Sequence, residues 1–245
     1  MSPPSSGSER IAFFGGSFDP PHLGHIAVAH AAQQALALDK VLFAPVGLQP
    51  LKPSGSSASF QHRAAMTQVA IAAQPGFELS MIDAPLKNED PKNVERTHAS
   101  SSAPNFTVDT LTRLRNSLAR EAQLFLLLGA DSFRTFHYWH RAAEIPFLAS
   151  LIIASRPGEY IDNLAACLPP DIAIRPLPDQ PNRYTLTNPA GDQSQLLLLP
   201  NLNYDISATQ LRNQIQRPPV TRQTNEPPML DPAVLAYIHQ HHLYE

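Results

Sequence analysis

Apolar residues along this chain come in short unbroken runs, separated by stretches whose apolar positions recur at helical spacing. "RIAFF" is such a run, ended by Gly15 and Gly16, and predicts a buried first strand. From Gly24 to about Ala37 the spacing is helical and alanine-rich. "KVLFAPV" predicts a second strand, "FQHRAAMTQVAIAA" a second helix capped by Ser59, and "FELSMID" a third strand. "KNEDPKNVERTHASSSAPN" is polar and aperiodic and reads as a loop or insertion. "TVDTLTRLRNSLAR" predicts a third helix, and "QLFLLLGAD" and "FLASLIIASRPG" are continuous apolar strands. Later, "RYTLT", "NPAGD" and "QLLLLPNL" read as strand, turn and strand. "ISATQLRNQIQ" and "DPAVLAYIHQHHLYE" are helices, the second with Asp231 as N-cap and Pro232 at its first position. Strands unbroken by polar residues need cover on both faces. The alternation therefore implies an α/β, doubly wound parallel sheet with a small C-terminal helical part, whose ligands sit at the carboxyl ends of its strands.

Composition narrows the function classes. The 245 residues are 43% hydrophobic, enough for one domain over 10–245, with "MSPPSSGSE" as a disordered tail over 1–9. A formal net charge of -3 offers no basic surplus for nucleic acid as a standing partner. No apolar run is long enough to span a bilayer, and the N-terminus lacks the pattern of a signal peptide, so no membrane partner is expected. A single cysteine, Cys167, permits no internal disulfide and suits a reducing cytoplasm; it reads as a packed small hydrophobe. The sequence is compatible with a homo-oligomer but does not fix the oligomeric state.

The candidate chemistry lies in "GGSFDPPHLGH". Gly15 and Gly16 would let backbone approach a ligand and turn at positive φ, and Asp19-Pro20-Pro21 would be a rigid turn. His22 precedes the helix, His25 lies in its first turn, and Gly24 between them would leave room for phosphates. A helix N-terminus supplies unpaired N–H groups and a positive dipole end. Two imidazoles there could stabilise charge growing on a phosphorus centre. A metal site on His22 and His25 is disfavoured, because no third ligand is near in sequence and the dipole repels cations. A purely structural histidine pair stays as the plainer alternative. The glycine spacing fits neither the dinucleotide fingerprint nor a Walker A loop.

With "ISATQLR" far downstream, this stretch resembles the paired signatures of the H-x-G-H nucleotidyltransferases. "FTVDTL", "GADSFRTFHYWH", "SRPG" and "VLAYIHQHHLY" are similar to segments of the bacterial nicotinate-nucleotide adenylyltransferases. The resemblance implies a Rossmann-like nucleotidyltransferase fold. It also implies adenylyl transfer from ATP, with Mg²⁺, to nicotinate mononucleotide, giving deamido-NAD and pyrophosphate. Another acceptor (nicotinamide mononucleotide or phosphopantetheine) and a non-catalytic nucleotide-binding protein are the alternatives.

The resemblance also distributes roles. His22, His25, Lys52 and Arg212 would be catalytic. Gly15, Gly16, Ser17, Phe18, Gly129, Asp131, Ile206, Ser207 and Thr209 would bind ATP. Thr107, Trp139 and Arg156 would bind the acceptor, with no resident metal. Plainer readings stand beside these: loop or surface residues for Lys52 and Arg156, N-caps for Thr107, Asp131 and Ser207, and core packing for Trp139. Arg113 and Arg115 are read as helix surface.

Overall fold

The computed structural model describes residues 8–48, 55–85, 104–155, 161, 163–199, 206–216 and 229–245. Most of the expected tail, most of the polar loop, Lys52 and Arg156 lie outside these residues.

The chain runs β1 (Arg10–Gly16), α1 (Leu23–Leu36), β2 (Lys40–Pro45), α2 (Phe60–Ile71), β3 (Phe77–Leu79), α3 (Thr107–Ser117) and β4 (Gln123–Gly129). It continues as α4 (Ala130–Arg134), a 3₁₀ turn (Phe136–Tyr138), α5 (Ile145–Leu148), β5 (Ser150–Ala154) and α6 (Leu164–Cys167). The remainder is β6 (Ala173–Pro176), β7 (Arg183–Thr187), β8 (Gln193–Leu199), α7 (Ala208–Ile215) and α8 (Pro232–Gln240).

The eight strands among the described residues form one sheet in the order β3-β2-β1-β4-β5-β8-β7-β6. The pairs from β3 to β8 are parallel, and only β8-β7 and β7-β6 are antiparallel. Side chains alternate across a strand, so one apolar run feeds two cores. Ala12 and Phe14 of β1 join Phe43, Met66 and Ile238 on one face. Ile11 and Phe13 join Leu111, Leu126 and Phe133 on the other. The doubly wound expectation holds for the parallel part. The antiparallel wing is a departure: the Asn188–Asp192 turn makes β7 and β8 a hairpin, and β6 pairs at its outer edge.

β6 is an exposed edge strand ending at Pro176, and its sequence carries no alternation to announce it. β3 is shorter than "FELSMID" suggested. Beyond Leu79 the chain turns, with Ala84 N–H bonded to Met81 C=O at 3.0 Å, and the Asp83 side chain goes into the interior. The caps at Ser59 and Asp231 form as read, accepting from His62 N–H at 3.3 Å and Ala233 N–H at 2.8 Å. Cys167 is buried, its sulfur is 3.7 Å from the Asn163 carbonyl, and burial pushes the thiol up, away from nucleophilic use.

Strand order reverses between β1 and β4: β2 and β3 lie outside β1, while β5 lies outside β4. At such a switch point the loops leaving neighbouring strands diverge and open a crevice at their carboxyl ends. A cavity of about 950 Å³ lies there, lined by Gly15 and Gly16 from the end of β1 and Gly129 from the end of β4.

Candidate active site

The first segment enters this cavity from β1. Gly15 and Gly16 are strand residues, in register with Ala44 and Pro45. Neither has positive φ; the left-handed turn falls at Phe18, φ 48°. The ladder holds the glycines extended, so the reversal is displaced by two residues. A bulky residue in that region costs about 1–2 kcal/mol. Here burial offsets it: the Phe18 ring is 1% exposed and packs against Phe14, Phe43 and the edge of His25. Phe18 borders the cavity, yet its ring is core.

His22 is the N-cap of α1 and is buried, and His25 is the third helical residue. Their rings lie 3.7 Å apart between centroids. His25 Nδ1 accepts the His22 backbone N–H at 3.1 Å. An accepting ring nitrogen carries no proton, so the ring hydrogen sits on Nε2. Gly24 borders the cavity, and a Cβ there would lie 3.0 Å from His22 Nδ1, so the absent side chain also makes room for the imidazole.

The second segment arrives from the far end of the chain. Ile206, Ser207, Ala208 and Thr209 line the same cavity, as does Arg212. Ser207 occupies the N-cap position of α7, but its hydroxyl makes no capping bond, so capping does not account for it. Arg212 Nη1 donates to the Asp19 carbonyl at 2.7 Å and Nη2 to Thr209 Oγ1 at 3.1 Å. Two segments nearly two hundred residues apart therefore touch. Two helix N-termini and one guanidinium face one cavity, an arrangement that favours a polyanion.

Asp19, read from sequence as part of a rigid turn, is the hub beneath them. Its carboxylate accepts Ser57 N–H at 2.6 Å, Ala58 N–H at 3.0 Å and the Tyr244 hydroxyl at 2.8 Å. Beside it Arg63, 2% exposed, donates to the carbonyls of Ser17, Val46 and Ala58 at 2.6, 2.8 and 3.3 Å. Burial works hardest on this guanidinium and lowers its pKa; the Asp19 charge opposes that. Arg63 was missed by the sequence reading, although a signal existed. Phe60, Arg63, Thr67, Ala70 and Ile71 make one buried stripe on α2, with an arginine where the period demands an apolar residue.

The other end of the cavity is built from α3, α4 and the 3₁₀ turn. Thr107 lines it as the first residue of α3, whose N-cap is Phe106, so the capping alternative for Thr107 falls. Asp131 lies inside α4, whose N-cap is Gly129, and the same alternative falls for it. The Asp131 side chain is exposed at the cavity, with its Oδ1 lying close over the Gly129 backbone. Trp139 is half-buried against Phe136 and also borders the cavity, so it packs in the core and lies at the candidate site as well. Its Nε1 is buried with no hydrogen-bond partner among the described residues. Tyr138 is 75% exposed, and the His140 ring lies 4.4 Å from that of Phe106.

Asp83 and Asn105, unread in the sequence, tie this wall together. Asn105 Oδ1 accepts Leu48 N–H at 2.9 Å. The buried Asp83 accepts from Thr110 Oγ1 at 2.5 Å and pairs with Arg113 at 3.1 Å. Burial still holds its carboxyl above the usual range. Arg113 lies on the helix surface as read, with its guanidinium reaching in to Asp83, and Arg115 closes the end of α3 on the Ala119 and Ala122 carbonyls. Among the described residues no group of three or more His, Cys, Asp or Glu could hold a metal ion.

A family profile described as Cytidylyltransferase-like matches residues 13–214. A Trichlorobacter lovleyi protein named "Probable nicotinate-nucleotide adenylyltransferase" is 34% identical over 236 residues, 96% of this chain and 99% of that one. A Chromobacterium violaceum protein of the same name is 36% identical over 241 residues, 96% and 98% of the two chains. The solved Plasmodium falciparum nicotinic acid mononucleotide adenylyltransferase complexed with NaAD shares the fold, with TM-score 0.66 at 17% identity over 96% of this chain and 97% of that. Paired signatures, sheet order and relatives matched end to end agree: the chain belongs to the cytidylyltransferase-like family, in its nicotinate-nucleotide adenylyltransferase group.

Proposed function

We propose that this protein transfers the adenylyl group of ATP to nicotinate mononucleotide, giving deamido-NAD and pyrophosphate. The carrying observation is the convergence of two helix N-termini, His22, His25 and Arg212 on one cavity at the switch point. An oxygen of the acceptor's 5′-phosphate attacks the α-phosphorus in line. The bond from that phosphorus to the bridging oxygen of pyrophosphate breaks, and pyrophosphate leaves with the electron pair. No protein nucleophile is required, so the contribution is positioning and charge stabilisation. Ser207, Thr209 and Arg212 hold the β- and γ-phosphates. Ser17 and the backbone at Gly15 and Gly16 border the reacting phosphates. His25, with its proton on Nε2, and His22 donate to the phosphoryl oxygens as charge builds. Asp131 accepts from a ribose hydroxyl, Trp139 stacks on the pyridine, and Thr107 bonds the ring substituent. Mg²⁺ enters with the triphosphate as part of the substrate and offsets its charge.

No described helix is long and apolar enough to cross a membrane. A lone buried thiol fits reaction in the cytoplasm. The test is pyrophosphate release with nicotinate mononucleotide, nicotinamide mononucleotide and phosphopantetheine at matched MgATP. The acid mononucleotide should turn over fastest. If it were the poorest acceptor the substrate assignment would fall, and ATP binding without release for any acceptor would make the protein a nucleotide binder.

A further inference from the structure

The penultimate residue of the chain reaches the hub under the cavity. Tyr244 follows α8, has φ 65°, and donates its hydroxyl to Asp19 Oδ1 at 2.8 Å. It does not border the cavity, whereas Asp19 and Arg212 do. Asp19 Oδ1 also takes Ala58 N–H, and Oδ2 takes Ser57 N–H, so three donors already satisfy a carboxylate only 6% exposed. Arg212 is left with the Asp19 backbone carbonyl, and its Nη1 stands 3.9 Å from Oδ2. That is a loose approach, not the two-pronged pairing that arginine and carboxylate adopt when both are available. A guanidinium has five N–H donors, and those not spent on Asp19 and Thr209 can serve a ligand.

We propose that Tyr244 is a positioning residue for triphosphate binding: its hydroxyl saturates Asp19 and thereby keeps Arg212 turned to the cavity. Without that hydroxyl, Oδ1 loses a donor in a place water reaches poorly. Among the described residues Arg212, with Nη1 3.9 Å from Oδ2, is the cation within ion-pair reach of this carboxylate, and a closer pair with Asp19 would withdraw N–H groups from phosphate. Burial first, and then the Asp19 charge, push the Tyr244 phenol far up, so it stays a donor at any working pH. α8 seats the segment: Val234 and Ile238 are buried in the core, and Tyr237 Oη lies 3.1 Å from His62 Nδ1 on α2. The C-terminus thus acts on the phosphate end without touching substrate. The inference rests on the triphosphate reading above.

The test compares wild type, Tyr244→Phe, Arg212→Met and the double variant in the full chain. Calorimetry with α,β-methylene-ATP is run beside steady-state kinetics and thermal melts. Tyr244→Phe should weaken the analogue and raise KM for ATP by about tenfold, the scale of one charge-assisted hydrogen bond. KM for nicotinate mononucleotide and kcat should stay within about twofold, and in the Arg212→Met background the same change should add less than about twofold. An unchanged analogue affinity, a parallel loss for both substrates that follows a lowered Tm, or full additivity with Arg212→Met would each overturn the proposal. A wild type that binds the analogue but releases no pyrophosphate would sink the adenylyl-transfer reading alone, since the binding arm still reports on Tyr244. A wild type that does not bind the analogue overturns both.

Discussion

The two ends of the cavity are built on opposite plans. At the end formed by β1, α1 and α7, the groups that support the site are buried, while His25, Ser207 and Arg212 above them are half-buried and Thr209 is exposed. Phe18 is 1% exposed, Arg63 2%, Asp19 5% and His22 7%, and the hydrogen bonds of Asp19, Arg63 and Arg212 tie one segment to another. At the end formed by α3, α4 and the 3₁₀ turn, Asp131, Tyr138 and His140 are exposed and Trp139 is only half-buried. The first plan suits a polyanion whose charge must be met by dipoles already in place, because reorganising them during reaction would cost what they contribute. The second suits a flat aromatic ring that supplies its own packing surface when it binds. One end is preorganised, and the other is completed by its ligand.

The harshest test of that contrast is His25→Ala. It should lower kcat by about a hundredfold or more while Tm moves little, because the lost group acts on transition-state charge. Matching losses of activity and stability would make the residue structural. Next comes Arg63→Met, which removes the donor from three carbonyls in a buried site. Urea denaturation should show a loss of about 2–3 kcal/mol. A loss no larger than that of an ordinary surface substitution would mean the phosphate end is not held from beneath.

At the open end, Trp139→Ala should raise KM for nicotinate mononucleotide by about tenfold and leave KM for ATP within about twofold. Equal rises in both would erase the distinction between the two ends. The smallest effect is expected from Asp83→Asn. The Asp83 carboxyl is raised in the folded state by burial, despite Thr110 and Arg113. The folded chain then holds a proton that the unfolded chain has released. Wild-type stability should therefore fall as pH rises from the ordinary carboxylate range through the raised value. The variant lacks this term, so its stability relative to wild type should increase over the same interval. Denaturation at several pH values reads the difference, and a flat difference would show that Asp83 is held no higher than an exposed carboxylate.

Much of the fold was legible. The runs that became β1, β2, β4 and β5 and the caps at Ser59 and Asp231 needed only local pattern. β6 was not legible, because an exposed edge strand carries no periodic signal and takes its register from β7. The short helices α4, α5 and α6 hide for a similar reason: at 5, 4 and 4 residues they are too brief to show a period. At the site, His22, His25, Ser207, Thr209 and Arg212 could be read from motif spacing. Asp19, Tyr244, Asp83 and Asn105 could not, because their partners lie far along the chain.

Sequence alone determined the longer strands and helices, because periodicity and capping act within a few residues, and by resemblance it singled out the two segments that meet at the cavity. Tertiary structure decided what those segments do to each other. Gly24 lies close under the His22 ring, the left-handed turn falls on Phe18, and a turn aspartate becomes the buried joint between Arg212 and the last residues of the chain. The physical reason is that a buried polar group is defined by its partners. Those partners are chosen by how the sheet brings distant loops to one edge.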